Sequence, residues 1–263
     1  EDGFEARLGT YEAGPGYALN GLNNARVTSK QRREQELVMK SKLAGTATLD
    51  SFLARAAYDF DTQNFFTFSE GTHWSSHAKW YRGGQAYPCY LWLEVFNDLT
   101  LGDMLSVEVE SVPTVDTRGF RRRRAIEGAP LAAAYVTADG DRVALFCISR
   151  KVPGYPSEVG DGYTPFRVTL PFTKTEKITL YTLSGEPTDH NIDAERVKVQ
   201  SRRIPTEHFD RRFAITDATG GDARGLPPSE AYLYVFDGTD IATSKDVSLQ
   251  EIFEKPTQFN LDR

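Results

Sequence analysis

The hydrophobic pattern of this chain changes period near Gly102, and no other feature limits its fold so strongly. Before that point apolar residues recur at helical spacing, and after it they alternate. Ser29 to Leu43 is dense in good helix formers, with Leu37, Val38, Met39 and Leu43 as a short apolar stripe. Thr48 to Tyr58 places Leu49, Phe52, Leu53, Ala56 and Ala57 on one helical face, with Thr48 or Asp50 available to cap its start. Asn64 to Ser69 is short and aromatic and reads as a buried strand. Tyr87 to Leu99, carrying Leu91, Trp92, Val95 and Phe96, reads as a third helix. With a short apolar piece at Leu8, the order is strand, helix, helix, strand, helix, which suits an α/β layer structure with parallel strands.

Beyond Gly102 the predicted strands are Met104 to Val112, Leu131 to Thr137, Arg142 to Ile148, Thr164 to Leu170, Lys177 to Leu183, Arg196 to Arg202, Arg212 to Ile215 and Ala231 to Phe236. Turn signals separate them at Ala138-Asp139-Gly140-Asp141, Ser184-Gly185-Glu186-Pro187 and Gly220 to Pro228. Short strands with hairpin links predict an antiparallel β-sandwich of two sheets over 102–263. Ile241 to Arg263 reads as a tail packed on its surface. Arg121 to Arg124 is a run of four arginines in a loop, read as a solvated or acid-contacting segment.

Charge and apolar content remove several classes of function. The chain has 263 residues, 40% of them hydrophobic, enough to fill a core. Lys and Arg number 31 against 37 Asp and Glu, a net charge of −6, which argues against nucleic acid as the main partner. No apolar run approaches the roughly 20 residues that span a bilayer. Cys89 and Cys147 sit in an aromatic and an apolar stretch and are expected to be buried free thiols. The chain opens Glu1-Asp2-Gly3, with no initiator Met and no apolar signal segment, and is expected to be a processed or excised product.

Two clusters could carry chemistry. The first is Thr10-Tyr11-Glu12-Ala13-Gly14-Pro15-Gly16-Tyr17, where a carboxylate stands at the end of a strand-like piece and before a Gly-Pro-Gly turn. Loops at the carboxyl ends of parallel strands hold the reactive groups of barrel and open-sheet enzymes, and Tyr11 and Tyr17 are placed to hydrogen-bond to Glu12. The bland alternative is a turn with a solvent-facing Glu and two packing tyrosines. The second cluster is Phe68 to His77, which gathers Glu70, His73, Trp74 and His77 after a predicted strand. Trp74 could form an apolar platform and the polar groups could orient a hydroxyl-bearing ligand, as a carbohydrate site requires. Its bland alternative is a surface loop with Trp74 folded into the core. His73 and His77 have the spacing of a helical metal pair, but Gly71 and the Ser pair argue for a loop and no third ligand is evident, so no metal or cofactor is expected.

This order of elements resembles the C-terminal portion of a clan A retaining glycoside hydrolase, in which a (β/α)8 barrel is joined to a β-sandwich, as in α-L-arabinofuranosidases and β-xylosidases. The motifs that carry the resemblance are T-Y-E-A-G-P-G-Y, F-F-T-F-S-E-G-T-H-W and G-D-M-L-S-V-E-V-E-S-V-P-T. It implies that residues 1–101 are the last strands and helices of a barrel, that Glu12 is the nucleophile ending the seventh strand, and that Trp74 is the platform after the eighth. Tyr11, Tyr17, Glu70, His73 and His77 would then line the sugar pocket. The expected partner molecule is a plant- or microbe-type glycan. Polymer-acting enzymes of this kind are usually exported, so the resemblance points to secretion or the periplasm.

The chain also departs from that pattern. Retaining glycosidases use two carboxylates about 5 to 5.5 Å apart. The resemblance places the acid/base in an Asn-Glu pair on the fourth strand, and this sequence contains no such pair. Glu186-Pro187 sits far downstream in a predicted hairpin. Six of the eight barrel strands are absent as well, and two strands cannot close a barrel. A second polypeptide carrying the amino-terminal barrel half and the acid/base is therefore expected. The competing reading is a non-catalytic structural or carbohydrate-binding subunit derived from such an enzyme, since fold alone never establishes activity.

Overall fold

A computed structural model describes residues 7–15, 27–69, 74–100, 102–108, 110–118, 124–154 and 162–242. Its first part holds β1 (Leu8–Ala13), α1 (Ser29–Met39), α2 (Lys42–Ala56), β2 (Phe60–Phe65) and α3 (Pro88–Leu99). β1 and β2 pair in parallel, as the helical crossover between them demands. The helical run predicted from Ser29 is broken at Ser41, whose side chain accepts from the Ala44 amide at 3.2 Å and starts α2 six residues earlier than predicted. Thr28 and Gln31 form a capping box at the start of α1. β2 lies four residues before the predicted strand, because the aromatic run at 65–68 straddles its end and the turn that follows. α3 begins as expected, with Tyr87 as its cap and Pro88 at its first position.

The second part is dominated by one six-stranded antiparallel sheet, ordered β10 (Val199–Ile204), β9 (Lys177–Leu183), β12 (Ala231–Asp237), β7 (Arg142–Ser149), β6 (Ala132–Asp139) and β3 (Asp103–Leu105). Two short antiparallel ribbons accompany it, β4 (Thr114–Thr117) with β5 (Ile126–Pro130) and β8 (Arg167–Thr169) with β11 (Arg212–Ala214). The long first strand predicted to Val112 stops at Leu105. Among the described residues there is no second broad sheet, and the β8–β11 ribbon and its flanking loops cover one face.

The other face is covered by the helices. In β7 and β12, Val143, Leu145, Cys147, Tyr232, Tyr234 and Phe236 join a cluster with Leu170, Phe172, Phe213 and Ile215. Residues of opposite parity, Ala144, Phe146, Ile148, Leu233 and Val235, pack with Leu49 and Leu53 of α2 and Trp92 and Val95 of α3. Burial on both faces explains why these two central strands read as continuous apolar runs rather than as alternation. Both cysteines are buried and free, as expected, and burial pushes the Cys89 thiol up to about 12 and raises that of Cys147.

Polar contacts tie the helices to the sheet. Lys42, at the start of α2, forms a buried ion pair with Glu230, just before β12, and donates to the Gly185 carbonyl at 2.7 Å. Asp50 of α2 accepts from Arg150 Nε at 2.6 Å and from the Tyr135 hydroxyl at 2.8 Å. The side chain of buried Asn191 accepts from the Arg196 and Val197 amides and donates to the carbonyls of Ala86 and Val197 at 2.8–3.0 Å, which fixes the loop under α3. Close contact between α2 and α3 depends on Gly45, where a β-carbon would fall 2.8 Å from the Pro88 carbonyl. Gly102, at the junction of the two parts, has φ +97° and abuts the Ala138 carbonyl, a place for glycine alone.

Candidate active site

The parallel pair positions the first cluster. Ala13, the last residue of β1, is buried against Phe52 of α2, Leu93 of α3 and Phe65 of β2. The pairing skips a residue between Thr10 and Ala13, so β1 bulges at Tyr11 and Glu12, and both of these residues are exposed. The Phe66 amide donates to the Ala13 carbonyl at 2.7 Å, which carries the pairing past the end of β2 and sets residue 66 beside the Ala13-Gly14 peptide. Tyr11 is 85% exposed, and among the described residues no hydrogen bond joins it to Glu12. Tyr17 lies outside the described residues.

The second cluster follows β2 at the same, carboxyl-terminal end of the pair. Glu70 and His73 lie outside the described residues, as do Arg121 to Arg123 and residues 243–263 of the tail. Trp74 is half-buried, and its carbonyl accepts from the Thr67 amide at 3.2 Å. The chain then folds back on itself: the Ser76 amide donates to the Thr67 carbonyl at 2.8 Å and the His77 amide to the Phe68 carbonyl at 3.0 Å. His77 is held between two rings, with centroids 4.5 Å from Phe68 and 4.2 Å from Tyr90, and its Nδ1 lies 2.9 Å from the Ser76 hydroxyl. Burial lowers the pKa of this imidazole from its ordinary value. It stands behind Phe68 as a support, and Phe68 remains 65% exposed.

Two aromatic side chains not singled out by the sequence pattern face solvent at this end. Phe66 is 38% exposed and Phe68 is 65% exposed, both following the strand that pairs with the Glu12 strand. The run F-F-T-F does not by itself say which of its rings a short strand leaves exposed. Among the described residues no three His, Cys, Asp or Glu side chains gather into a metal-holding group, and no helix is long and apolar enough to cross a membrane. The arrangement therefore offers an exposed carboxylate at a strand end, beside apolar rings suited to the flat faces of a sugar.

No protein-family model matches the chain, and no curated protein matches it. Among solved structures, the fold is similar to that of an arabinofuranosidase, with a TM-score of 0.53 and 15% identity over 74% of this chain and 38% of that one. Fainter likenesses are to a glycoside hydrolase family 30 subfamily 8 xylanase from Clostridium acetobutylicum (TM-score 0.42, 8% identity, 75% of this chain and 40% of that one) and to a family 86 β-porphyranase from Bacteroides plebeius (0.43, 8%, 76% and 31%). The chain spans well under half the length of each of these three structures. At such low identity the likeness to the arabinofuranosidase is one of fold, over part of a glycoside hydrolase.

Proposed function

We propose that this chain supplies the nucleophile side of a retaining glycosidase site acting on a plant- or microbe-type glycan. The observation that carries the reading is the placement of Glu12: an exposed carboxylate at the carboxyl end of β1, in a parallel pair, one residue before helix-packed Ala13. In this reading residues 1–101 are the last part of a (β/α)8 barrel and residues 102–263 a sandwich-like domain with its tail. The Glu12 carboxylate attacks the anomeric carbon while the glycosidic C–O bond breaks, and an acid on the remaining barrel strands gives its proton to the leaving oxygen. Water then attacks the glycosyl ester, the same residue, now a base, takes the water's proton, and Glu12 is released. Tyr11, Tyr17, Glu70, His73 and Trp74 would surround the sugar, with Phe66 and Phe68 adding apolar surface and His77 holding Phe68 from behind. This chemistry uses no metal and no cofactor.

The missing acid/base makes the reading testable at the level of the assembly. In the described residues β1 and β2 pair only with each other, so each has an edge open to a further strand. Purification from the native source without denaturant, followed by intact mass and peptide mapping, should find these residues joined to, or associated with, polypeptide bearing an Asn-Glu segment. That species should hydrolyse aryl glycosides, whereas the 263-residue chain by itself should not. Recovery of the chain in an assembly with no such segment and no hydrolysis would favour a non-catalytic subunit.

A further inference from the structure

The hairpin between β2 and α3 carries a feature that the Glu12 site does not use. Its arms are joined by the Ala78 amide donating to the Gln85 carbonyl at 2.9 Å and the Tyr87 amide donating to the Ser76 carbonyl at 2.8 Å. Its base is pinned by Asn191 Nδ2 donating to the Ala86 carbonyl at 3.0 Å and by Gln85 Nε2 donating to the Ile192 carbonyl at 3.1 Å. At the tip, a single 3-10 turn over Trp80–Arg82 presents Trp80 at 85% exposure beside exposed Tyr81. The two rings meet edge to face, with centroids 5.8 Å apart and an interplanar angle of 88°. An indole left that bare on a well-braced hairpin marks a contact surface rather than a packing residue.

The charge around the tip narrows what it contacts. Lys79 Nζ and Arg82 Cζ lie 5.7 Å and 6.0 Å from the Tyr81 ring centroid, and neither has a carboxylate partner among the described residues. From Gly71 to Leu93 the sequence has no Asp or Glu, although the whole chain carries a net charge of −6. The tip is thus a local cationic and aromatic surface on an acidic protein. Two rings on one turn do not by themselves make a protein interface, which buries about 800 Å² on each partner around an apolar core. A linear polymer strand crossing the tip needs only a ring face for its apolar side and a cation for its charge.

We infer that the Lys79-Trp80-Tyr81-Arg82 tip is a secondary binding platform for an anionic polysaccharide, one bearing uronate or sulfate groups, separate from the strand end that carries Glu12. The inference rests on the glycan reading of this chain and deepens it by naming the charge of the polymer. Binding is measured without turnover, so an inert Glu12 leaves it standing.

Native affinity electrophoresis tests it directly, with polygalacturonate as the anionic probe and neutral arabinoxylan as the comparison. The wild-type protein should be retarded by polygalacturonate far more than by arabinoxylan, and about 1 M salt, where the Debye length falls to about 3 Å, should remove the difference. Trp80→Ala with Tyr81→Ala should weaken polygalacturonate binding at least about tenfold, and Lys79→Gln with Arg82→Gln should reduce it to the arabinoxylan level. Because these side chains are solvent-facing, the thermal midpoint should stay within about 1 °C of wild type in both variants, which separates lost binding from lost folding. Retardation unchanged in the variants, or equal retardation by the two polymers, would overturn the inference. So would variants that bind glycan normally but release an associated polypeptide.

Discussion

Glu12→Gln is expected to lower glycosidase turnover by at least about four orders of magnitude in the catalytically competent protein, with no loss of stability or assembly. The amide has the shape of the carboxylate but neither its charge nor its capacity to form and release a glycosyl ester, so the first chemical step has no nucleophile. Stability should hold because Glu12 is exposed and among the described residues takes part in no hydrogen bond or ion pair that a mutation would break. A companion variant, Glu12→Ala, leaves room for a small anion in place of the side chain. With azide present it should regain part of its rate on an activated aryl glycoside and release the glycosyl azide of inverted configuration. Near-wild-type turnover in Glu12→Gln would remove Glu12 from the role of nucleophile.

The largest expected effect on stability comes from Lys42→Met. Lys42 and Glu230 are both buried where α2 meets the start of β12, and the substitution leaves the Glu230 carboxylate without its cation. Breaking one side of a buried pair costs about 3–5 kcal/mol, enough to lower the thermal midpoint of a domain this size by roughly 10 °C. Glu230→Gln placed on Lys42→Met should recover a large part of that loss, since the uncompensated charge is gone. The pair also has a pH signature. Burial, reinforced by nearby Glu186, raises the Glu230 carboxyl from 4.5 to about 7 against the opposing pull of Lys42. Between these values the folded state binds more protons than the unfolded state, so this group's contribution to stability is full below pH 4.5 and falls as pH rises to about 7. Denaturant midpoints of wild type and Glu230→Gln across pH 4 to 8 should show a slope in the first that the second lacks.

Local periodicity made much of this fold legible. Trp92 and Val95 at helical spacing identify α3, and the alternation from Lys177 to Leu183, closed by the Gly185 and Pro187 turn, matches β9 residue for residue. Helix α2 was seen from Thr48 onward but its first turn was not, because Lys42, Ala44 and Thr46 are buried there by contacts from distant loops, including the Asp189 carbonyl that accepts from the Lys42 amide. The second layer was also misjudged. Leu105, Val107 and Val109 alternate with polar residues like a strand, yet the chain leaves the sheet after Leu105. In the same way, burial by helices on one face and a ribbon on the other is a long-range arrangement that a run such as V-A-L-F-C-I does not specify.

At the site, Glu12 could be singled out because a carboxylate between a short strand and a Gly-Pro-Gly turn is a local pattern. Phe66 and Phe68 could not, because their exposure depends on which end of the aromatic run the strand takes. The hairpin tip escaped for a related reason: Trp80 looks like any core indole until its neighbours in space are known to be few.

The most direct measurement is capture of the glycosyl-enzyme. A 2-fluoro glycoside with an activated leaving group forms the covalent intermediate and slows its hydrolysis, because fluorine destabilises the oxocarbenium-like transition state. After such treatment of the competent protein, trypsin digestion and mass spectrometry should find the sugar mass on the peptide 8–26, with fragmentation placing it on Glu12, and the loss of activity should track the extent of labelling. A label on any other residue, or full turnover of the fluoro glycoside with peptide 8–26 unmodified, would contradict the assignment of Glu12 as the nucleophile.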